Sequence, residues 1–329
     1  MHKINLKGGY YEIGNQYGQI LKKSGFKPPP ASEKKLEFVK KCEQIIRQKS
    51  PQLLRELRGV SEGGKFDAHL INSLALTLDG SSSCTVFAIS GKYTLTGKPI
   101  FARNYDFLHS FKRYSELYLT HPEKASKSIG CSDIFVGRED GLNEFGLAVG
   151  ETYVGYFHKQ PGFIFPLAIR TVLDKCHNVD EALKFLVSIP HQRNVNFLLA
   201  DKQGKIAIIE SALKKVRVTN CEDTGIITNH FLSSDMIQYQ PPKTVSESSQ
   251  KRYKNFQTWF KSIKKPISIK DVKQFLSDSQ KGACQIDNID PDWPEPICTL
   301  WSWVAELGDF KIHLAEDLTG RVIYEEIEN

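Results

Sequence analysis

Residues 81–90 read SSSCTVFAIS, and residues 100–107 read IFARNYDF. Three serines directly before a cysteine make a poor start for a core strand, but they suit a place where a chain is cut. The residues after Cys84 are rich in β-branched and aromatic side chains, which favours a strand. The turn TGK at residues 96–98 leads into the second stretch. Arg103 and Asp106 are therefore predicted to lie on the next strand, beside Cys84.

The secondary structure that the residue pattern predicts changes at Cys84. The residues before it predict mostly helices, since apolar side chains recur at helical spacing and Ser32 and Ser50 are placed to cap two of them. Short strands follow, interrupted by helices, one of which begins after the predicted cap Asn178. A block of helices followed by antiparallel strands around helices predicts an α+β layered sandwich.

Composition excludes several classes of protein. Of the 329 residues 40% are hydrophobic and 25% charged, which is typical of a globular protein. The net charge of +6 (44 basic minus 38 acidic residues) comes from scattered lysines, so no nucleic-acid partner is expected. No apolar run approaches the roughly 20 residues of a membrane span, and no secretory signal is present. The seven cysteines form no CxxC pair, so we expect a cytoplasmic protein without disulfides, structural metal or cofactor.

Cys84 is the candidate nucleophile. A cysteine attacks as a thiolate and needs a neighbouring base or cation. If the Ser83–Cys84 bond were cut, Cys84 would carry an α-amine whose pKa is about 7.7–8.0 in model peptides, which suits a general base for its own thiol. Arg103 would hold the thiolate by its charge, and Asp106 would orient the amine. The alternative is that Cys84 fills the core and that Arg-Asn-Tyr-Asp is a surface turn.

Several further stretches extend this pattern in order along nearly the whole chain. These stretches are GGYYEIGNQYG (8–18), LLRELRGVSEGG (53–64), LINSLAL (70–76), CTVFA (84–88), ARNYDF (102–107), GLNEFGLAVG (141–150), FLLADKQGKIAIIE (197–210), TNHF (228–231) and SSQKR (248–252). Through them the chain resembles the N-terminal-nucleophile (Ntn) hydrolases, in the branch of acyl-CoA:6-aminopenicillanate acyltransferase, choloylglycine hydrolase and penicillin V acylase.

The resemblance implies a fold, a maturation step and a site. The fold is an αββα four-layer sandwich of antiparallel sheets. Residues 1–83 would form a helical pro-segment that stays attached as a small subunit after self-cleavage at Ser83–Cys84, and residues 84–329 would form the catalytic domain. Cys84 would be the nucleophile, Arg103 and Asp106 its partners, Asn229 the oxyanion donor and Arg252 a second arginine near the nucleophile.

The chain departs from the family pattern in two places. Ser83 stands where close relatives of the acyltransferase usually have glycine. GETYVGY (150–156) stands where bile-salt hydrolases have an oxyanion asparagine, so Thr152 or Tyr153 falls near that place. Arg103 itself matches the hydrolases, whereas the penicillin acyltransferase has glutamine there, and this favours hydrolysis. Thr85 and Asn143 are interpreted as structural, and His230 as a packing or hydrogen-bonding residue.

The expected function is that of an autoprocessed N-terminal-cysteine amidohydrolase that cleaves the amide bond of an N-acylated small molecule through an acyl-enzyme. One alternative is N-acyl transfer from a coenzyme A thioester. A second is a non-catalytic relative that kept the fold, against which the five predicted site residues argue together. A papain-like protease fits least, since its cysteine begins a helix. The expected partners are an acyl amide or thioester and the chain's own pro-segment, and a homo-oligomer is compatible with the sequence.

Overall fold

The computed structural model describes residues 1–77, 83–133, 136–286, 295–316, 318 and 322–329. Ser81 and Ser82, two of the three serines that were interpreted as suiting a place where the chain is cut, lie outside the described residues. The helices are α1 (Tyr10–Lys23), α2 (Glu33–Lys49), α3 (Pro51–Gly64), α4 (Ala68–Leu76), α5 (Phe165–Lys175), α6 (Val179–Ser188), α7 (Glu247–Ser262) and α8 (Ile269–Ser277). Within the described residues, no helix combines the length and the apolar character needed to cross a membrane.

The strands form two sheets. The larger sheet contains, in spatial order, β1 (His2–Gly8), β4 (Glu116–Pro122), β5 (Ser128–Ser132), β6 (Asp140–Asn143), β7 (Leu147–Tyr153), β8 (Val195–Asp201), β9 (Ile206–Ala212) and β10 (Lys215–Cys221). The smaller sheet contains β11 (Thr224–Ile227), β2 (Ser83–Ile89), β3 (Ile100–Leu108), β12 (Ile297–Glu306), β13 (Lys311–Ala315) and β14 (Glu325–Glu328).

The two sheets lie face to face, and helices cover their outer faces. Phe101 and Trp303 of the smaller sheet share one buried cluster with Leu198 and Ile208 of the larger sheet. Apolar residues of α1 to α6 pack on the outer face of the larger sheet, and those of α7 and α8 on the smaller. Because both of its faces are covered, β3 is buried along its whole length. The predicted αββα sandwich is confirmed.

One edge of this sandwich differs from the prediction. Residues 2–8 form the strand β1 rather than part of a helical block, and β1 pairs with β4 in parallel, whereas antiparallel sheets were predicted. The physical reason is an alternating pattern: Ile4 and Leu6 are buried while their neighbours Lys3 and Asn5 are exposed. This period of two is short and rich in polar residues, so it is easily missed in the sequence.

Glycines allow α1 and α3 to approach closely. A Cβ added to Gly14 would lie 1.9 Å from the carbonyl oxygen of Glu56, and one added to Gly59 would lie 2.1 Å from that of Tyr11. Larger residues would push the helices apart. The helical glycines of the GGYYEIGNQYG stretch (8–18) therefore serve packing between helices within the first 77 residues.

The predicted helix caps are only partly right. Ser32 and Asn178 each accept a hydrogen bond from the backbone N–H three residues later, as predicted. The side chain of Ser50 makes no such bond, although α3 begins directly after it. Its hydroxyl instead accepts a hydrogen bond of 3.2 Å from Thr171 of α5, because the start of α3 is buried against that helix.

Candidate active site

Cys84 is the second residue of β2 and is completely buried. β2 lies between β11 and β3, and Ser83 is paired with Asp106 of β3. The backbone N–H of Cys84 donates to Oδ1 of Asn229 at 2.7 Å. The bond between Ser83 and Cys84 is therefore part of a regular strand in this uncut chain, and side chains from two neighbouring segments approach it.

Arg103 of β3 directs its guanidinium at the sulfur of Cys84. Its Nη2 donates to Sγ at 3.4 Å. Two carboxylates and one main-chain carbonyl hold its nitrogens: Nε lies 2.9 Å from Oδ2 of Asp140, Nη2 lies 3.0 Å from Oε1 of Glu151, and Nη1 donates to the carbonyl oxygen of Glu151 at 2.6 Å. Burial opposes the charge on Arg103, but the negative charges of Cys84, Asp140 and Glu151 outweigh it, so the pKa of Arg103 is raised. A fixed cation beside a sulfur stabilises its thiolate.

Two further carboxyl groups surround this arginine. Burial, with the charges of Glu151 and Asp133, raises the pKa of Glu139 well above its usual value. Burial also raises the pKa of Asp133 to about 7, although its Oδ2 accepts a hydrogen bond of 2.9 Å from Tyr105. A carboxyl group with a raised pKa keeps its proton to higher pH, which limits the negative charge near the sulfur.

Arg252 reaches Cys84 from α7, on the outer face of the smaller sheet. It is almost completely buried, and its Nη1 donates to the carbonyl oxygen of Cys84 and, at 2.8 Å, to Oγ1 of Thr85. Its Nη2 donates to Oγ of Ser83 at 2.8 Å and to Oδ1 of Asn229 at 3.0 Å. Arg252 therefore holds groups on both sides of the Ser83–Cys84 bond.

Asp106 is buried and bound by two residues that the sequence did not point to. Its Oδ1 accepts a hydrogen bond of 2.6 Å from Oγ1 of Thr299, and its Oδ2 accepts one of 2.9 Å from Nε2 of Gln285. Burial raises the pKa of Asp106, and the charge of Arg252 and these two hydrogen bonds oppose the rise. The only signal for Thr299 was a hydroxyl within the largely apolar stretch ICTLWSWV (297–304), which Ser302 shares.

The donors expected for an oxyanion have other partners in the uncut chain. Nδ2 of Asn229 donates to the carbonyl oxygen of Tyr153 at 3.0 Å, and the hydroxyl of Thr152 donates to the carbonyl oxygen of Thr228 at 2.7 Å. The main chain of Tyr153 thus lies beside the side chain of Asn229. Burial and the charge of Arg252 lower the pKa of the neighbouring His230 to about 4, so this histidine is neutral at pH 7.

The fold and the site can now be compared with known proteins. A family described as acyl-coenzyme A:6-aminopenicillanic acid acyl-transferase matches residues 94–318 of this chain. The chain belongs to this family. The matched residues include Arg103, Asp106, Asn229 and Arg252, and Cys84 lies just before them. A comparison with curated protein sequences gave no match.

Solved structures relate this acyltransferase-family member to Ntn hydrolases. Two variants of the conjugated bile acid hydrolase from Clostridium perfringens are 15% and 14% identical, with TM-scores of 0.53 and 0.50, and the matches cover 74% of this chain and 92% of theirs. Penicillin V acylase from Agrobacterium tumefaciens is 17% identical with a TM-score of 0.46, over 74% of this chain and 86% of its own. The likeness to the bile acid hydrolase shows that this chain has the Ntn-hydrolase fold.

The structure brings all five predicted site residues of this family member together. Arg103, Asn229 and Arg252 contact Cys84, and Asp106 lies opposite Ser83. Among the described residues, no three histidine, cysteine or acidic side chains are grouped so that they could hold a metal ion. The arrangement places a cation beside the sulfur of Cys84 and hydrogen-bonding groups around the bond that precedes it, a set of groups suited to acyl transfer to sulfur.

Proposed function

We propose that this chain is a precursor that cuts itself between Ser83 and Cys84, and that the new N-terminal Cys84 then hydrolyses the amide bond of an N-acylated small molecule. The observation that carries the proposal is the 3.4 Å contact between Nη2 of Arg103 and Sγ of Cys84. A buried cysteine that only fills the core has no use for a buried cation against its sulfur, because burying a charge is costly.

The proposed self-cleavage begins with attack of Sγ on the carbonyl carbon of Ser83. The C–N bond to Cys84 breaks, a thioester forms, and the thiol proton goes to the leaving nitrogen. Water then hydrolyses the thioester, which leaves a carboxylate on Ser83 and a free α-amine on Cys84. The departing nitrogen is the one that donates to Oδ1 of Asn229, so its hydrogen-bond acceptor is already in place.

In the proposed turnover, the α-amine of Cys84 takes the proton of its own thiol. Sγ attacks the amide carbonyl of the substrate, and the ammonium group returns the proton to the departing amine. Water hydrolyses the remaining thioester. Asn229 would donate from Nδ2 to the oxyanion, which requires the substrate oxygen to lie next to the carbonyl oxygen of Tyr153, the present acceptor. Such a donor is commonly worth about 3 kcal/mol.

Intact-mass measurement of freshly made protein tests this proposal. We expect two fragments that meet at Ser83–Cys84, and an uncut chain for Cys84→Ala. With a panel of activated amides and thioesters, the cut protein should form a covalent adduct on Cys84 that water releases. A single uncut chain with full amidase activity would exclude the α-amine as the base. Absence of any adduct would favour a non-catalytic relative of the fold.

Acyl transfer is the second candidate, since the family that the chain belongs to is described by an acyl-coenzyme A acyl-transferase activity. Both reactions pass through the same thioester on Cys84 and differ in what removes the acyl group. An added amine that captures the acyl group faster than water does would support transfer. Release of the free acid at a rate independent of added amine would support hydrolysis.

We also propose that the residues before the cut remain bound after it. The hydroxyl of Tyr10 donates to Oδ2 of Asp174 at 2.9 Å, and Nη1 of Arg170 lies 3.0 Å from Oε1 of Glu56. β1 adds a ladder of main-chain hydrogen bonds to β4. The two fragments should therefore elute together from a native sizing column and separate in denaturant. Separate elution without denaturant would contradict this proposal.

A further inference from the structure

Gln285 contacts both the residue before the bond that is proposed to be cut and the carboxylate across the sheet from it. It lies between α8 and β12 and is buried, with 6% of its surface exposed. Its Nε2 donates to Oγ of Ser83 and to Oδ2 of Asp106, each at 2.9 Å. Ser83 precedes the bond, and Asp106 is paired with Ser83 across the sheet. One amide group therefore contacts both the residue that would leave and the carboxylate that would remain.

The main chain of Gln285 is fixed as well as its side chain. Its N–H donates to Oγ1 of Thr299, and the N–H of Thr299 donates to its carbonyl oxygen, both at 2.9 Å. Oγ1 of Thr299 in turn donates to Asp106, and Oε1 of Gln285 accepts a hydrogen bond of 2.8 Å from Ser248. Such mutual bonding leaves the amide little freedom to turn, so the direction of its N–H groups is set before any reaction begins.

These donors act on the charge of Asp106. The carboxyl group is completely buried, and burial favours its neutral form. Hydrogen bonds donated to a carboxylate favour the charged form, and Gln285 and Thr299 each supply one to a different oxygen. If Asp106 is to orient an α-amine, it must be ionised, and Gln285 helps to keep it so.

We propose that Gln285 is a positioning residue that fixes Asp106 in its ionised form and in register with the Ser83–Cys84 bond. This inference depends on the proposed function. During self-cleavage Gln285 would contact both Ser83 and Asp106. After the bond to Ser83 is cut, it would keep the contact with Asp106 during turnover. Gln285 itself need not touch the reacting atoms.

Gln285→Glu is the sharpest test, because it keeps the length of the side chain but removes both N–H donors and places a carboxyl group beside Asp106. A lost hydrogen bond to a carboxylate and a nearby like charge both raise its pKa. The acid limb of the kcat/KM profile should therefore move to higher pH by about 1 unit or more. Self-cleavage should also slow, by roughly 10-fold, because the variant no longer donates a hydrogen bond to Oγ of Ser83 beside the bond.

Gln285→Ala is the second variant, since it removes the donors without burying a new charge. We expect a shift of the acid limb in the same direction but smaller. Asn255→Ala is the matched control: Asn255 of α7 donates to the carbonyl oxygen of Gly282, three residues before Gln285, at 2.9 Å. This substitution loosens the same segment without removing a contact of Asp106. The acid limb of the Asn255→Ala profile should therefore lie at the same pH as that of the wild type.

The outcomes separate this inference from the proposed function. If folded Gln285→Ala has the same acid limb and the same cleavage rate as the wild type, the role proposed for Gln285 is overturned. This holds whether or not Gln285→Glu folds. An equal shift in Asn255→Ala would overturn it too, since the effect would then come from the segment. If the wild type formed no acyl-enzyme, the proposed turnover would fail, and the rate of self-cleavage in the variants would still decide whether Gln285 acts on Ser83.

Discussion

Arg103 and Arg170 are both completely buried, and each is paired with two carboxylates, but their surroundings differ. Arg170 lies 3.0 Å from Glu56 of α3 and 2.9 Å from Asp174 of its own helix, α5. Burial opposes its charge, but Asp174 and Glu56 outweigh the burial and raise the pKa of Arg170. Nearby, burial and the charge of Arg170 lower the pKa of a second guanidinium, Arg138, to about 10. We call these four residues the Arg170 cluster.

The Arg103 cluster consists of Arg103, Asp133, Glu139, Asp140 and Glu151. It has one guanidinium for four carboxyl groups, whereas the Arg170 cluster has two of each. The excess of carboxyl groups is accompanied by raised pKa values of Glu139 and Asp133, which favour their protonated forms. The sulfur of Cys84 lies at the edge of the cluster.

This difference distinguishes buried charged groups that stabilise the fold from those proposed to take part in the chemistry. A balanced cluster between a helix of the first 77 residues and α5 ties two parts of the fold together. The unbalanced cluster contains Asp133, whose pKa of about 7 lies in the physiological range, and places its only guanidinium against the sulfur of Cys84. Burial and ion pairing are shared by both clusters, so neither property alone identifies the site.

Replacing Arg103 with methionine should have the largest effect on chemistry. Without the guanidinium the thiolate loses its stabilising charge, so self-cleavage at pH 7 should slow by at least about 100-fold. Raising the pH should restore part of the rate, because more thiolate then forms. Intact mass against time at several pH values measures this. Cleavage of the folded variant at the wild-type rate would remove Arg103 from the mechanism.

Replacing Arg170 with methionine should have the opposite profile. Two buried carboxylates lose their partner, so the free energy of unfolding should fall by about 3–5 kcal/mol. Urea unfolding in a Cys84→Ala background, which should keep the chain whole, measures this loss. The folded Arg170→Met protein with Cys84 intact should still cleave itself at the wild-type rate. A cleavage defect as large as that of Arg103→Met would show that the two clusters are not separable.

A smaller effect is expected from Asp133→Asn. The pKa of Asp133 is about 7 in the folded chain, above the value of about 3.9 for an unfolded chain. Between these values the folded state holds a proton that the unfolded state has lost, so this stabilisation is present at low pH and is lost as the pH rises towards 7. The wild type should lose about 2–3 kcal/mol from this group between pH 5 and pH 7.

Asparagine has no such proton, so the variant should show a flatter dependence of stability on pH, measured by urea unfolding in the Cys84→Ala background. The remaining slope should come from the other buried carboxyl groups whose pKa is raised by burial, Glu139 among them. The same slope in variant and parent would mean that Asp133 does not carry the surplus proton of the Arg103 cluster.

The sequence could place some of these residues but not others. Cys84, Arg103 and Asp106 lie on two strands joined by a short connection, and a period of two along such strands determines which residues are neighbours. The helices of the first 77 residues follow from apolar spacing, and the layered fold follows from the order of the elements. These features are local, so the sequence carries them directly.

The other parts of the site come from distant segments. Asp140 and Glu151 belong to the larger sheet and meet Arg103 only because the sheets are stacked. Gln285 lies 179 residues from Asp106 in the chain, in a segment without secondary structure. No spacing rule connects such residues, since their contact depends on how the layers pack. The strand β1 was missed because its alternation is short and contains only two apolar residues.

The position of β1 has a practical consequence for anyone who makes this protein. β1 covers the outer edge of β4, yet it belongs to the residues before the proposed cut. A recombinant fragment that begins at Cys84 would expose that edge as an open template for other chains. Expression of residues 84–329 alone should therefore give aggregates, and co-expression of both fragments should rescue soluble protein by complementation.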